Sequence, residues 1–159
     1  MSIAYIGLGS NLGESKSILQ NSISRLATEK NIRLLKISSL YASKPLGEKN
    51  QPNYINAVIS VSTQLSPHQL LQLLQEIELE FGRERTHERW ASRTLDMDIL
   101  LYNQLICLDE RLTLPHPEMT QRDFVLVPLC EIAPDTMIPG IGDIETVLKA
   151  CDIRGLEKL

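Results

Sequence analysis

The order of the predicted secondary-structure elements constrains the fold of this chain more than any other feature of its sequence. Apolar runs and the alternation of apolar with polar residues predict four strands, over 3–8, 32–42, 54–63 and 95–102. Apolar residues at helical spacing predict two helices, over 14–29 and between Ser66 and Gly82. The order strand–helix–strand–strand–helix–strand is that of the split βαβ, or ferredoxin-like, arrangement. It predicts an α+β domain with a largely antiparallel sheet and helices packed on it.

The second predicted helix carries signals at both of its ends. Ser66 can accept a hydrogen bond from a free amide of the first turn, and Gln69 completes a capping box. Pro67 suits the first helical position, and Gly82 is placed to end the helix. Further along the chain, residues 113–140 predict irregular structure or short helices, with a last helix over 143–150.

Composition limits the class of protein. The chain has 159 residues, 43% of them hydrophobic, which suits one compact domain spanning 1–159. A net charge of −4 argues against a nucleic-acid-binding coat, and three scattered cysteines argue against a disulfide framework. No signal-peptide pattern is visible, and no apolar run approaches the roughly 20 residues of a membrane span. We therefore expect a cytoplasmic protein with no nucleic-acid or membrane partner.

The strongest local signal is an arginine-rich segment followed by two aligned aspartates. The arginines are Arg83, Arg85, Arg89 and Arg93. Asp96 and Asp98 follow on a predicted strand, where residues two apart point to the same face. Paired carboxylates can bind Mg²⁺, and guanidinium groups bind phosphate oxygens, so the segment indicates a nucleoside-triphosphate site. The same pattern also fits a solvated loop followed by the wet face of a strand.

The glycine segment at residues 7–13 is a weaker signal. A dinucleotide fingerprint would need a glycine at position 12, which is Leu12, and the chain has no P-loop motif. We expect these glycines to serve a tight strand-to-helix connection.

Other residues are candidates for binding a flat heterocycle. Such a ring could lie between an aromatic pair while an asparagine forms hydrogen bonds with its edge; the candidates are Leu46, Tyr54, Asn56, Trp90 and Phe124. His116, Arg111 and Arg122 are further candidate phosphate ligands.

Five segments of the chain resemble one family, in that family's order. They are AYIGLGSNLG (4–13), PLGEKNQPNYINA (45–57), IELEFGRER (77–85), RWASRTLDMDIL (89–100) and LPHPEMTQRDFVLVPLCEIAP (114–134). The family is 6-hydroxymethyl-7,8-dihydropterin pyrophosphokinase, an enzyme of folate biosynthesis, and the resemblance covers essentially the whole chain. It implies a ferredoxin-like α+β fold, a monomer, and transfer of the pyrophosphoryl group of ATP to the pterin hydroxymethyl oxygen with release of AMP.

The resemblance also implies roles for particular residues. Two Mg²⁺ ions would be bridged by Asp96 and Asp98, which together with Arg83 and Arg93 are the expected catalytic residues. The pterin would lie between Trp90 and Phe124; the other expected pterin contacts are Ser43, Pro45, Leu46, Tyr54 and Asn56. The remaining expected ATP contacts are Gln75, Glu78, Arg85, Arg89, Ile99, Arg111, Leu112, Thr113, His116 and Arg122.

The chain departs from the family at a few positions, and two other functions stay open. Lys44 stands where many members have a proline, Thr86 where some have a basic residue, and Pro117 where others have an aromatic residue. Met97 replaces a branched aliphatic residue and is expected to face the core. The alternatives are an RNA-binding ferredoxin-like module and another D-x-D transferase that moves a nucleotidyl or glycosyl group.

Overall fold

A computed structural model describes residues 1–11, 14–44, 53–82 and 95–159. Its elements are β1 (Ser2–Ser10), α1 (Ser15–Ala27), β2 (Ile32–Ile37), β3 (Tyr41–Ser43), β4 (Tyr54–Thr63), α2 (Pro67–Glu80), β5 (Asp96–Tyr102), β6 (Cys107–Leu108), β7 (Thr113–Leu114), α3 (Asp123–Ile132), β8 (Met137–Ile138), β9 (Gly142–Asp143), α4 (Ile144–Lys149) and β10 (Glu157–Lys158). Among these described residues, no helix has both the length and the apolar character needed to cross a bilayer.

The main sheet confirms the predicted α+β, ferredoxin-like arrangement. Its strand order is β10-β3-β4-β1-β5, and β2 pairs with the same edge of β4 as β3 does. Every pairing in this sheet is antiparallel. The split βαβ order places β1 between β4 and β5, so β1 pairs with both the strand that carries Asn56 and the strand that carries Asp96 and Asp98.

Helices cover both faces of the sheet. Ala4, Ile6 and Leu8 of β1 belong to one core cluster, which also contains the buried residues of α1 and α2. Tyr5 packs against a second cluster, built mainly from α3 with Val58 and Leu100. Because successive residues of a strand point to opposite faces, the two clusters lie on the two sides of the sheet.

Two expectations about the strands are wrong in detail. The strand predicted over 32–42 is two strands, because Ser38 interrupts it: its amide donates to the Val58 carbonyl and its hydroxyl accepts from the Val58 amide, both at 2.9 Å. The alternation over 95–102 predicts Leu95, Met97, Ile99 and Leu101 on one face, but in β5 Leu101 leaves the face shared by Leu95 and Ile99. A register shift there pairs Leu101 with Tyr5, and both Leu100 and Leu101 join the second cluster.

The ends of α2 are as predicted. The Gln69 amide donates to the Ser66 hydroxyl at 3.2 Å, and the Ser66 amide donates to the Gln69 side chain at 2.9 Å. Pro67 is the first residue of the helix, and Gly82 follows it with φ 89°, a conformation that glycine adopts without strain.

Candidate active site

A cleft of about 250 Å³ opens on the α3 side of the sheet, where β1 carries glycines. Gly7 and Gly9 lie on the same face as Tyr5, but beyond the part of the face that α3 covers. Gly9 pairs with Asn56 on one neighbouring strand and with Asp96 on the other. We call this the sheet cleft; it is lined by Gly7, Leu8, Gly9, Ser43, Lys44, Tyr54, Asn56, Ala57, Asp96, Asp98, Leu100, Arg122, Phe124 and Val125.

The glycines of β1 therefore do not form the strand-to-helix connection that was expected. Gly7 and Gly9 lie inside a strand rather than in a strand-to-helix connection, and Gly13 is outside the described residues. A Cβ atom on Gly9 would lie 3.1 Å from Asn56 Oδ1, which is tighter than an ordinary contact. The absence of side chains here leaves room for the sheet cleft and for the Asn56 amide.

Asn56 is held in one orientation on the floor of the sheet cleft. The side chain is buried, and its Nδ2 donates to Ser43 Oγ at 2.7 Å. Ser43 is the last residue of β3, so the hydroxyl comes from the neighbouring strand. A buried amide fixed in this way presents a defined set of hydrogen-bonding atoms to a ligand.

The start of α3 also lines the sheet cleft. Phe124 is half-buried, and the Arg122 guanidinium lies over its ring, 5.6 Å from the centroid. Arg122 also forms an ion pair with Glu118. The Phe124 ring and the Asn56 amide thus line one cleft from different elements, as recognition of a flat polar heterocycle requires.

Asp96 and Asp98 both line the sheet cleft from β5. Between them, Met97 is buried in the core as predicted, and its amide donates to Glu78 Oε2 at 3.0 Å. Glu78 is itself buried on α2. The strand is therefore held from behind by a carboxylate while the two aspartates face the cleft.

A second cleft, of about 210 Å³, begins on the other side of Asp98. We call it the loop cleft; it is lined by Asp98, Ile99, Glu110, Arg111, Leu112, Thr113, His116 and Pro117. Asp109 shapes this segment, because its Oδ1 accepts hydrogen bonds from the amides of Arg111 and Leu112 at 2.9 and 2.8 Å. His68 of α2 anchors Asp109 from outside, with its Nε2 2.7 Å from Oδ2.

His116 lies at the junction of the two clefts. Its Nδ1 accepts the Glu118 amide at 3.2 Å, so in the neutral ring Nε2 carries the hydrogen, and Nε2 lies 4.0 Å from Asp98 Oδ2. Burial, helped by the charge of Arg122, lowers the pKa of His116 despite the opposing effect of Asp98 and Glu118. At neutral pH the imidazole of His116 is therefore uncharged, and its Nε2–H can donate a hydrogen bond.

The structure brings together most of the predicted site residues that it describes. Ser43, Tyr54, Asn56, Asp96, Asp98, Arg122 and Phe124 line the sheet cleft. Ile99, Arg111, Leu112, Thr113 and His116 line the loop cleft. Gln75 is exposed on α2, and Glu78 is buried under β5. Pro45, Leu46, Arg83, Arg85, Arg89, Trp90 and Arg93 lie outside the described residues.

The sequence analysis missed several cleft residues, among them Gly7, Gly9 and Lys44. Gly9 pairs with Asn56 and Gly7 with Asp98, and this strand register, which local sequence patterns do not contain, is what places the two glycines in the cleft. Lys44 was noted only as a departure from the family, yet it lines the sheet cleft. Its Cε would lie 3.8 Å from a Cβ atom built on Gly155, so its stem runs along the C-terminal segment.

The two aspartates suit a hard divalent cation. Carboxylate oxygens are the ligands that Mg²⁺ prefers, and it is commonly held by one or two carboxylates together with substrate phosphates. Within the described parts of the chain, no group of three or more His, Cys, Asp or Glu side chains is placed to hold a metal ion. The carboxylate pair therefore fits a cation whose other ligands come from a bound phosphate and water.

Comparisons with known proteins agree on one family. The model of the family described as 7,8-dihydro-6-hydroxymethylpterin-pyrophosphokinase matches residues 5–134. The Haemophilus influenzae protein named 2-amino-4-hydroxy-6-hydroxymethyldihydropteridine pyrophosphokinase is 48% identical over 94% of this chain and 92% of its own length. The Pseudomonas aeruginosa protein of the same name is 43% identical over 98% of this chain and 95% of its own length.

Solved structures show the same fold in longer chains. A crystal structure of Plasmodium falciparum HPPK-DHPS with pteroate superposes with a TM-score of 0.74, covering 94% of this chain at 14% identity. This chain covers 42% of that chain, so it spans less than half of the two-part protein. At this identity the likeness concerns the fold.

Proposed function

Because this chain belongs to the 7,8-dihydro-6-hydroxymethylpterin-pyrophosphokinase family, we propose that it transfers the pyrophosphoryl group of ATP to the hydroxymethyl oxygen of the pterin. The products are the pterin diphosphate and AMP. One observation carries the proposal beyond the family name: two clefts of different chemical character meet at Asp98. A reaction between two substrates needs such an arrangement, because it brings the reacting atoms together.

The sheet cleft suits the pterin. A reduced pterin is a flat, polar heterocycle, and this cleft offers the Phe124 ring together with the Asn56 amide, which Ser43 orients. Trp90, predicted as the second stacking ring, stays a prediction because it lies outside the described residues. The hydroxymethyl group would then point along the cleft toward the aspartates.

The loop cleft suits ATP. Arg111 and His116 offer cationic and neutral donors for phosphate oxygens, and the Ile99 and Leu112 side chains offer apolar contacts for a nucleobase. Arg122 lines the sheet cleft, as Asp98 does, and we propose that its guanidinium binds the transferred phosphates. Arg83, Arg85, Arg89 and Arg93 would neutralise the remaining phosphate charge. This role stays a prediction.

Asp96 and Asp98 are the residues that we propose hold Mg²⁺. The bound cation would supply neutralisation of phosphate charge and lower the pKa of a coordinated hydroxyl. The protein itself positions these groups. Glu78 binds the amide of Met97, between the two aspartates, and the Nε2–H of His116 lies near Asp98 at the junction of the clefts. Transfer forms a bond between the hydroxymethyl oxygen and the β-phosphorus. It breaks the bond between the β-phosphorus and the oxygen that bridges it to the α-phosphorus, and this oxygen leaves on AMP. The proton of the hydroxyl passes to water.

We also propose that the protein acts as a monomer in the cytoplasm, on small molecules rather than on nucleic acid or membranes. The net charge of −4 supports the absence of a nucleic-acid partner. Sedimentation at micromolar concentration tests the monomer, with a mass near 17.9 kDa expected.

The proposed reaction is tested by identifying the products. Purified protein is incubated with ATP, Mg²⁺ and 6-hydroxymethyl-7,8-dihydropterin, and the nucleotides are separated. Pterin-dependent AMP with an equal amount of pterin diphosphate is the expected result. ADP would indicate single phosphoryl transfer, and free pyrophosphate would indicate nucleotidyl transfer; either would contradict the proposal.

A further inference from the structure

A carboxylate outside both clefts receives a dense set of hydrogen bonds. Glu131 lies near the end of α3, and the Ser39 amide donates to its two oxygens at 3.1 and 2.9 Å. The Ser39 hydroxyl donates to Oε2 at 2.9 Å, and the Tyr41 hydroxyl donates to Oε1 at 2.5 Å. Charge-assisted hydrogen bonds of this kind are stronger than neutral ones. We call Ser39, Tyr41 and Glu131 the carboxylate clamp.

The carboxylate clamp joins two elements that both line the sheet cleft, β3 through Ser43 and α3 through Phe124. Tyr41 begins β3, and the same strand ends at Ser43, whose hydroxyl orients Asn56. Glu131 lies on α3, whose first turn carries Phe124. The distance between these two elements sets where the Asn56 amide lies relative to the Phe124 ring, and hence the position of a ligand that contacts both.

The strand β3 depends on such a connection. It has only three residues, and its ladder with β4 runs from Tyr41 to Ser43. On its other side it pairs with β10, which is only two residues long. Short ladders fix a strand weakly, so bonds from a helix add a substantial share of the restraint.

Glu131 is exposed, and its hydrogen bonds favour the ionised carboxylate further. Desolvation alone would raise the pKa of Glu131, but the hydrogen bonds from Tyr41 and Ser39, with the charge of Lys158, outweigh it and lower the pKa. Tyr41 is 6% exposed, and its phenol stays protonated as the donor. Among the described residues, those that line the two clefts do not include Ser39, Tyr41 or Glu131.

We propose that Glu131 is a positioning residue for the pterin, which holds Ser43 and Asn56 at the correct distance from Phe124. This inference rests on the proposed function, since it concerns how that function's first substrate is held. If Ser43 and Asn56 are displaced, binding of the pterin weakens equally in the ground state and the transition state. Such a change raises KM for the pterin and leaves kcat unchanged.

The test is steady-state kinetics of the Glu131→Gln variant with both substrates. Glutamine keeps the size of the side chain but removes the charge and one of its acceptor oxygens. We expect KM for the pterin to rise about fivefold or more, with kcat and KM for ATP within about twofold of wild type. Tyr41→Phe should change KM for the pterin in the same direction but less. The double variant should be no worse than Glu131→Gln alone, because both changes break the same bond.

The control is Glu145→Gln, which makes the same chemical change on an exposed residue of α4 and should leave all constants unchanged. If wild type forms no AMP, the proposed function fails rather than this inference. If wild type is active and Glu131→Gln leaves KM for the pterin unchanged, the inference is overturned. Parallel losses in kcat and in both KM values would also overturn it, because they indicate a general loss of structure. If Glu131→Gln does not fold, the same criteria are applied to Tyr41→Phe and Ser39→Ala.

Discussion

At the scale of single residues, the site depends on side-chain direction along β5. Asp96 and Asp98 face the sheet cleft because the residue between them, Met97, points into the core. This much follows from alternation in the sequence. The Glu78 carboxylate that holds the Met97 amide does not, since nothing local marks a glutamate on α2 as buried.

Replacing one of these aspartates tests their proposed role. We expect Asp98→Asn to lower kcat for AMP formation by at least about 100-fold, because the proposed Mg²⁺ site loses one of its two carboxylate ligands. Rates at saturating ATP, pterin and Mg²⁺ provide the measurement. Asp135→Asn, the same change at an exposed position, should be indistinguishable from wild type. A turnover number for Asp98→Asn within a few-fold of wild type would remove the aspartate from the mechanism.

At the scale of elements, some helices and strands were predictable and others were not. The spacing of Leu70, Leu74 and Ile77 and the Ser66 cap predicted α2 because these signals are local. The helix α3 was expected only as irregular structure or short helices. It is apolar on most of its surface and contains Pro128, so no clear helical period stands out. The break at Ser38 depends on a hydrogen bond to Val58, twenty residues away.

The capping box of α2 makes a prediction about stability alone. Ser66→Ala removes the acceptor for the Gln69 amide, and we expect the free energy of unfolding to fall by about 1 kcal/mol. Urea unfolding followed by circular dichroism measures the change. Gln72→Ala, at an exposed position in the middle of the same helix, should leave stability nearly unchanged. Equal stability of Ser66→Ala and wild type would show that the cap contributes nothing.

At the scale of the whole molecule, the sheet brings together residues that are far apart in the chain. Gly9, Asn56, Asp98 and Phe124 line one cleft, although 115 positions separate the first from the last. The sequence identified Asn56, Asp98 and Phe124 by type and by family resemblance. Their meeting around Gly9 required the strand register, which local patterns do not contain.

The carboxylate clamp also predicts a pH dependence of global stability. Burial, with the hydrogen bond to Glu131, raises the pKa of Tyr41 to about 12 from an ordinary value of 10.0. The folded state therefore favours the protonated phenol. This contribution is fully present below pH 10 and is lost as the pH rises through about 12. Lys158 and Glu131 are the neighbouring charges.

Comparison with Tyr41→Phe isolates this effect. The variant lacks the titrating group, so the difference in unfolding free energy between wild type and Tyr41→Phe should shrink as the pH rises above 10. Urea unfolding at intervals between pH 8 and 11.5 measures the difference. A gap that stays constant across this range would mean that Tyr41 titrates alike in the folded and unfolded states.

The central claim is that the sheet cleft holds the pterin and the loop cleft holds ATP, and the KM values of two variants test it most directly. Asn56→Ala removes the oriented amide of the first cleft, and Arg111→Ala removes a cation of the second. We predict that Asn56→Ala raises KM for the pterin about tenfold or more and leaves KM for ATP near wild type. Arg111→Ala should do the reverse. If both variants raise the same KM, the division of the two substrates between the two clefts is wrong.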